Sequence, residues 1–120
     1  MNKKFSVLIN KKIKQFNRKI KIPGDKSCSI RALHFASQCI GLSNISNLLE
    51  SEDVLDCVNA LKKSLGVKIF KKENIYQVYG NGLNSFKTKN KITKIYVGNS
   101  GTVARLLSGL LSTHEGKFYR

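Results

Sequence analysis

The sequence is poor in acidic residues and in long apolar runs. Only 7 of its 120 residues are Asp or Glu, against 22 that are Lys or Arg. No stretch approaches the ~18 consecutive apolar residues of a membrane-spanning helix. The apolar run at residues 5–9 is too short for the core of a signal peptide and is flanked by lysine and polar residues. We therefore expect a cytoplasmic protein with no membrane partner.

Cysteine is scarce as well, and its spacing excludes a standard zinc site. The three cysteines, at positions 28, 39 and 57, form no Cys-x-x-Cys or Cys/His pattern. All three fall on predicted helices as reduced structural thiols, and Cys28 and Cys39 are predicted to be partly buried. Cys28 is also a candidate for modification, because it lies inside a motif described below. His34 and His114 have no evident catalytic partner, so we expect them on a helix face or in a loop.

The excess of lysine gives the chain a formal net charge of +15. Such a charge attracts polyanions without specificity. Proteins that read nucleic acid usually interleave arginine and aromatic residues with their basic clusters. This sequence does not, so we expect no specific nucleic-acid partner. The positive field should instead favour small substrates that carry several negative charges.

The spacing of apolar residues predicts the order of the secondary-structure elements. Residues 1–18 are predicted to be a basic strand or linker segment, and residues 19–120 are predicted to be a domain. Strands are predicted from alternation, and helices from three- and four-residue spacing between capping residues. The predicted elements are strands at 5–9 and 20–22, a helix at 27–40 closed by Gly41, a strand at 44–48, a helix from Ser51 to Gly66, an antiparallel hairpin of strands 67–70 and 75–79, a loop at 80–91, a strand at 92–97 and a helix striped by apolar residues over 103–111.

Residues 24–31 (GDKSCSIR), the first motif, directly follow the only proline and begin the first predicted helix. A helix N-terminus offers unpaired N–H groups and a positive dipole end, which together hold anions. Lys26 adds a mobile ammonium, Ser27 and Ser29 add hydroxyl donors, and Arg31 returns to the face of Ser27 one turn later. The pattern fits a carboxylate or a phosphate. A capped helix start exposed to solvent would use the same residue types.

Residues 98–105 (GNSGTVAR), the second motif, repeat this arrangement at a predicted strand-to-helix turn. Gly98 and Gly101 permit a close approach of the backbone, and Ser100 or Thr102 can cap the helix. On pattern alone a tight turn without a ligand is favoured. An anion site remains the alternative.

The first motif resembles the opening motif of the 5-enolpyruvylshikimate-3-phosphate synthase family. The second motif resembles that family's next phosphate-side loop, and the two occur in the same order. Residues 41–53 are similar to the family's Gly-x-Ser…Asn-Leu-Leu-x-Ser-x-Asp segment, and we expect a structural role for their acids. The resemblance implies an α/β (α+β) fold of the enolpyruvyl transferase type. Residues 19–79 would form one βαβαββ unit of an inside-out α/β barrel, and the last strand and helix would start a second unit.

The resemblance also implies which residues bind substrate. Those expected to bind shikimate 3-phosphate are Lys26, Ser27 and Arg31. Those expected to bind phosphoenolpyruvate are Lys26 and Gly101, with Asn99, Thr102 and Arg105 in support. No catalytic residue is expected in this chain, because the family's acidic and basic catalytic residues lie in its later domain. No metal or organic cofactor is implied.

The implied reaction transfers the enolpyruvyl group of phosphoenolpyruvate to the 5-hydroxyl of shikimate 3-phosphate, on the route to chorismate and aromatic amino acids. Members of the family are several times longer than this chain. We therefore expect an N-terminal fragment that is inactive alone, from an enzyme that is monomeric at full length. Two alternatives stay open: the sister family that acts on UDP-N-acetylglucosamine, whose opening motif lacks Asp-Lys-Ser-x-Ser-x-Arg, and a non-catalytic basic module that binds polyanions.

Overall fold

The computed structural model describes residues 5–12, 15, 17–88 and 91–120. Within these ranges the chain forms three α-helices, one π-helical turn and five strands around a single hydrophobic core. No described helix is both long enough and apolar enough to cross a membrane. The elements in chain order are α1 (Lys26–Gln38), β1 (Ile40–Ser46), α2 (Glu52–Asn59) with a π-helical turn (Ala60–Ser64), β2 (Lys68–Lys72), β3 (Ile75–Asn81), β4 (Ile92–Lys94), α3 (Gly101–Leu111) and β5 (Lys117–Tyr119).

Helix α1 forms where its apolar spacing predicts it. Its stripe includes Ile30, Leu33 and Ala36, which are all buried. The prediction that Gly41 closes this helix is wrong, because the helix ends at the Cys39 cap and Gly41 lies in β1. Gly41 has a φ of +92°, a conformation that glycine adopts without strain, so it serves the strand and not the helix end.

Helix α2 continues into the π-helical turn, and one side of this segment packs in the core. Val54, Cys57 and Leu61 face the core with no exposed area. The apolar spacing predicts one stripe made of Val54, Leu55, Val58, Leu61 and Leu65. Leu55 does not follow that prediction, because it is 39% exposed. The predicted stop at Gly66 is confirmed: Gly66 has a φ of +69° and follows the last helical residues, where such a conformation ends a helix.

Strands β1, β3 and β2 form an antiparallel sheet in that order. The register pairs Tyr79 with Leu42 on one side and with Lys68 on the other. The predicted hairpin is confirmed, and its turn is tighter than predicted, because only Glu73 and Asn74 lie between the two strands. Helix α1 packs against one face of this sheet, and α2 packs against α1 in the same core. No described part of the chain covers the other face.

Strands β4 and β5 form a separate parallel pair beside α3. Strand β4 is shorter than the predicted strand at 92–97, and β5 was not predicted. The pairing continues past β4 through the amide of Ile95, which donates to the Tyr119 carbonyl at 2.9 Å. A strand of three residues has too little alternation to be recognised in a sequence.

The predicted strands at 5–9 and 20–22 do not form. These residues lie in extended or irregular chain, and their large apolar side chains, such as Phe5, Ile9 and Ile20, are 66–88% exposed. Alternation of apolar residues cannot make a strand without a neighbour to pair with. The described part of residues 19–79 therefore forms αβαββ, without the first strand of the expected βαβαββ unit.

The burial of two cysteines was also predicted incorrectly. Cys28 and Cys39 are exposed, and only Cys57 is buried. Cys28 lies on the solvent side of the first turn of α1, and Cys39 caps the helix and does not lie within it. His34, expected on an ordinary helix face, is instead only 5% exposed and lies in the core.

Candidate functional site

The backbone of the first motif is held against the loop that follows β1. A Cβ atom at Gly24 would lie 2.1 Å from the Asn47 carbonyl oxygen, so only glycine fits there. The hydroxyl of Ser29 donates to the Asp25 carbonyl at 2.6 Å and accepts from the Leu49 amide at 3.0 Å. These contacts fix the start of α1 relative to the segment that leads into α2.

The N-terminus of α1 is capped by a side chain of the motif itself. The Asp25 carboxylate accepts a hydrogen bond from the Cys28 amide at 2.7 Å, and this bond is the main reason that the pKa of Asp25 lies below its usual value. The sequence pattern left two alternatives for this turn, an anion held by the free N–H groups or a capped helix start exposed to solvent. The Asp25 cap places a negative charge at the turn, so binding of an anion there would rely on the side chains of the motif more than on its N–H groups.

The Lys26 ammonium pairs with the Asp53 carboxylate of α2 at 2.9 Å. The side chains of both are partly exposed, at 48% and 24% respectively, so the pair borders solvent. Asp53 was predicted to act only at the helix start of α2. Its contact with Lys26, 27 positions away in the sequence, is a feature that sequence reasoning missed. No local spacing pattern could have revealed it, because it depends on the packing of α1 against α2.

Two further residues of the first motif flank this pair on α1. Ser27 is half-buried and Arg31 is exposed, so the guanidinium of Arg31 is open to a ligand from solution. The positive charge of Arg31 contributes to the lowered pKa of the Asp25 carboxyl, after the larger effect of the hydrogen bonds to that group. The first motif therefore combines two exposed cations, Lys26 and Arg31, with the negative charge of the Asp25 cap.

The second motif is capped by a neutral side chain. The Ser100 hydroxyl, which is buried, accepts from the Val103 amide at 3.2 Å. Gly98 has a φ of +58°, and its carbonyl accepts from the Arg120 guanidinium at 3.0 Å. Because the cap carries no charge, the positive dipole end of α3 is not offset by an acid of its own first turn.

The predicted ligands of the second motif lie around the first turn of α3. Gly101 is exposed, and a Cβ atom there would meet only the Arg105 guanidinium, at 3.7 Å. Arg105 folds back along the helix and donates from Nε to the Gly101 carbonyl at 3.2 Å. Asn99 is exposed and Thr102 is half-buried. The turn therefore presents an open surface with one guanidinium beside it.

Helix α2 connects the two motifs. Asp53 binds Lys26 of the first motif, and the Asp56 carboxylate lies directly against Gly98 of the second motif, within 2.0 Å of the place where a Cβ atom would be. Residues three apart on a helix share one face. The structure therefore brings both motifs to the same side of α2. Helix α1 also contacts α3 directly.

The other titratable groups near α1 are not poised for chemistry. Burial lowers the pKa of His34 to about 4 and raises the pKa of the Cys57 thiol to about 12, and the His34 Nε2 lies 3.5 Å from the Cys57 sulfur. The hydrogen bond with Asp25 raises the pKa of the Cys28 thiol, which disfavours a reactive thiolate at this exposed position. Among the described residues, no three His, Cys, Asp or Glu side chains are grouped so that they could hold a metal ion.

Comparison with known proteins identifies the family. The model of the EPSP synthase (3-phosphoshikimate 1-carboxyvinyltransferase) family matches residues 10–119, which is nearly the whole chain and includes both motifs. The chain belongs to the EPSP synthase family. The resemblance inferred from the two motifs is thereby confirmed.

Relatives within this family include two bacterial proteins named 3-phosphoshikimate 1-carboxyvinyltransferase. The one from Sulfurihydrogenibium sp. (strain YO3AOP1) is 41% identical over 102 residues, which cover 85% of this chain and 23% of that protein. The one from Oenococcus oeni is 45% identical over 106 residues, which cover 86% of this chain and 24% of that protein. The chain therefore spans about a quarter of the length of these relatives.

A solved EPSP synthase from Acinetobacter baumannii has the same fold over most of this chain. Its TM-score is 0.68 and its identity 35%, over 79% of this chain and 21% of that structure. The expected enolpyruvyl transferase fold is thus confirmed. The family match also favours EPSP synthase over the sister family that acts on UDP-N-acetylglucosamine. The matching family, the two relatives and the solved structure described above are all named EPSP synthase or 3-phosphoshikimate 1-carboxyvinyltransferase.

Proposed function

We propose that this chain supplies part of the anion-binding surface of an EPSP synthase. That enzyme transfers the enolpyruvyl group of phosphoenolpyruvate to the 5-hydroxyl of shikimate 3-phosphate. A C–O bond forms between the 5-oxygen and the enol carbon, the C–O bond to phosphate breaks, and the hydroxyl proton leaves. Family membership over residues 10–119 supports the assignment. Both substrates are anions of more than one charge, which suits a chain of net charge +15.

The first motif is proposed to bind shikimate 3-phosphate through Lys26, Ser27 and Arg31. Lys26 offers an ammonium with three donors, of which Asp53 takes one, so two remain for a phosphate or carboxylate oxygen. Arg31 is exposed and carries a planar fork that matches the same anions. Lys26 is also proposed to reach phosphoenolpyruvate.

The second motif is proposed to complete the phosphoenolpyruvate site at Gly101. The absence of a side chain leaves the first turn of α3 open, and Arg105 stands beside it. Asn99 and Thr102 are proposed to support the anion with amide and hydroxyl donors. The neutral Ser100 cap favours this role, because the cap itself adds no negative charge at the start of α3.

The Lys26–Asp53 ion pair is the main structural observation that supports the proposal. Of the two salt bridges among the described residues, it is the one that involves a candidate ligand. An ammonium paired in advance with one carboxylate is held in place and loses less side-chain freedom when an anion arrives. The carboxylate also limits the affinity for the wrong anion, because the ligand must share the ammonium with it.

We further propose that residues 19–120 are part of an N-terminal domain, that residues 1–18 are a basic segment outside it, and that the 120-residue chain is inactive alone. Enolpyruvyl transfer needs an acid to protonate the methylene carbon of phosphoenolpyruvate, which loses a proton again when phosphate leaves, and a base to take the hydroxyl proton. The proposed ligands of this chain bind and orient, but none of them is placed in that role. A phosphate-release assay with both substrates should give only the background rate.

Ligand binding tests the assignment separately from turnover. Titration of the ¹⁵N-labelled chain with shikimate 3-phosphate, followed by NMR, should shift the amide signals of residues 26–31. Lys26→Met should weaken the binding about tenfold or more, as expected for loss of a charge-assisted contact. Lys19→Met removes the same charge from an exposed position outside the helices and should leave the affinity nearly unchanged.

Two results would contradict the proposal. The first is equal loss of affinity in both variants, which would mean that only the net charge attracts the ligand. The second is a set of shifts confined to the basic residues before Ile22, with none in α1.

A further inference from the structure

The sheet of β1, β2 and β3 has one face that no part of the described chain covers. Ile69, Tyr76 and Val78 alternate toward the core and are at most 6% exposed. The residues between them point the other way, as strand geometry requires. We call this surface the outer sheet face, and its large or charged members are Ile40, Leu42, Lys68, Phe70, Lys72, Ile75 and Tyr79.

Two aromatic rings meet on the outer sheet face. Phe70 of β2 and Tyr79 of β3 are diagonal neighbours in the hairpin register, with ring centroids 6.1 Å apart at an interplanar angle of 82°. Phe70 is 54% exposed and Tyr79 is 39% exposed, so both rings keep open area. An edge-to-face pair of this kind presents π surface in two orientations to a ligand.

Lysines surround these rings. Lys68 stands directly opposite Tyr79, and Lys72 follows Phe70 by two residues on the same face. Lys62, from the π-helical turn, places its ammonium 5.9 Å from the centroid of the Phe70 ring. Neither salt bridge found among the described residues involves any of these three lysines.

Acidic residues are absent from the three strands, whose sequences are IGLSNIS, KIFKK and IYQVYGN. The acid next to this face in sequence is Glu73, at the turn between β2 and β3. Lys71, which does pair with Glu50, points to the opposite side of β2 beside Tyr76. The outer sheet face therefore combines exposed rings with uncompensated positive charge.

We propose that the outer sheet face binds single-stranded nucleic acid without sequence preference. Bases stack on Phe70 and Tyr79, and the phosphates contact Lys62, Lys68 and Lys72. Stacking on aromatic residues beside a basic track is how such strands are held, and it tolerates any base because every base has a π face. A duplex hides its bases and can use only the charges.

A second copy of this chain fits the same face less well. A symmetric contact would place the lysines of one copy against those of the other, and like charges facing each other at an interface oppose association. A polyanion neutralises them instead. No local pattern predicts this pair of rings, because Phe70 and Tyr79 are nine positions apart and meet only through the register of the hairpin.

Fluorescence anisotropy with a labelled oligothymidine of about 20 nucleotides tests the proposal, with a duplex of the same length as the comparison. The single strand should bind more tightly than the duplex. Replacing both rings with leucine (Phe70→Leu with Tyr79→Leu) keeps their apolar bulk and should weaken the single-strand affinity about tenfold or more. The matched control Tyr96→Leu removes an exposed ring elsewhere, 71% exposed, and should change nothing.

The lysines are tested through the salt dependence of binding. Lys62→Gln, Lys68→Gln and Lys72→Gln together should lower the slope of log affinity against log salt by about 2, from three lost phosphate contacts. A control triple at Lys11, Lys12 and Lys19 removes the same charge from exposed chain outside the sheet and should lower it by less than half as much. Circular dichroism checks that each variant is folded, and Phe70→Tyr, which keeps a ring, should retain binding.

Three results would overturn the proposal. The first is a duplex that binds as tightly as the single strand to the folded protein. The second is a ring variant that binds like the parent chain, which would leave only charge as the cause of binding. The third is a ring variant that no longer binds anionic phosphatidylserine vesicles but still binds the oligonucleotide, which would assign the surface to membranes.

Discussion

Residues 24–81 and residues 91–120 each carry one of the two motifs, but they support it differently. In the first part, α1 and α2 pack against a three-stranded antiparallel sheet, and the motif backbone is fixed against the loop after β1. In the second part, α3 lies beside two parallel strands of three residues each, with an apolar cavity of about 370 Å³ between them. The first motif is therefore held by a closely packed part of the core, whereas the second borders an apolar cavity.

The N-terminal caps of α1 and α3 differ in charge. The cap of α1 is the Asp25 carboxylate, which adds a negative charge at the helix start, so the anion site proposed there relies on Lys26 and Arg31. The cap of α3 is the neutral Ser100 hydroxyl, which adds no charge of its own. Two similar sequence patterns thus support one proposed site built mainly from side chains and one built mainly on the helix start.

The largest expected difference between the two parts is in the cost of a core truncation. Leu61 is fully buried between the helices and the sheet, whereas Leu107 lines the cavity beside α3. Leu61→Ala should lower the free energy of unfolding by about 4 kcal/mol and Leu107→Ala by about 2 kcal/mol, because a side chain beside a cavity has fewer contacts to lose. Urea unfolding measures both. Equal costs would mean that the core beside α3 is as closely packed as the core between α1, α2 and the sheet.

Two glycine substitutions should have opposite signs. A Cβ atom at Gly24 would lie 2.1 Å from one backbone atom and 3.0 Å from another, neither of which can turn away, so Gly24→Ala should destabilise by about 3 kcal/mol. Gly109 lies within α3 with no atom within 4 Å of its Cβ position, so Gly109→Ala should stabilise by about 1 kcal/mol. Urea unfolding measures both changes in the free energy of unfolding. If Gly24→Ala leaves that free energy unchanged, the backbone of the first motif is not fixed as described.

The buried histidine of α1 should make the stability of the first part depend on pH. Unfolded His34 takes up a proton near pH 6.5, but folded His34 does so only at about pH 4. Below about pH 6.5 the unfolded state binds more protons, so the stability is full above this pH and falls as the pH is lowered. Between pH 7 and pH 5 the free energy of unfolding should decrease by about 2 kcal/mol.

Two variants separate this effect from other titrations. His34→Leu should remove the decrease, and His114→Leu, which replaces the histidine near the end of α3, should retain it. The lowered pKa values of Asp25 and Glu50 make their own contributions appear at lower pH than this window. A decrease that persists unchanged in His34→Leu would rule out the buried histidine as its source.

The smallest effect concerns two serine caps. Ser100 accepts a hydrogen bond from the Val103 amide, so Ser100→Ala should cost about 1 kcal/mol. Ser51, the N-cap of α2, makes no side-chain cap bond, and its buried hydroxyl has no partner among the described residues. Ser51→Ala should therefore be neutral or slightly stabilising, because it removes an unsatisfied polar group. Thermal unfolding of both variants measures the difference, and a larger loss at position 51 would reverse the comparison.

Much of the fold could be predicted because it is encoded locally. The three helices and the β2–β3 hairpin form where spacing and turn residues indicate. The predicted strands at 5–9 and 20–22 failed because alternation describes a face but supplies no pairing partner. Strand β5 was not predicted, for the opposite reason. It is too short to show alternation, but it has a pairing partner in β4.

The candidate site was predictable in its residue types but not in its connections. The motifs placed the cations of the first site and the open glycine of the second correctly at helix starts. They did not show that Asp25 would use its carboxylate as a cap, or that Asp53 and Asp56 would connect the two motifs. The roles of the candidate residues toward substrate remain proposals that the binding experiments test.

The sequence by itself determined the family, the helix starts and the net positive charge, since each of these depends on neighbouring residues or on composition. Only the tertiary structure decided that Lys26 meets Asp53, that His34 is buried against Cys57 and that Phe70 and Tyr79 share one face with lysines. The physical reason is the same in each case. Contacts between residues far apart in the chain depend on packing and strand register, which the whole core fixes and no local pattern encodes.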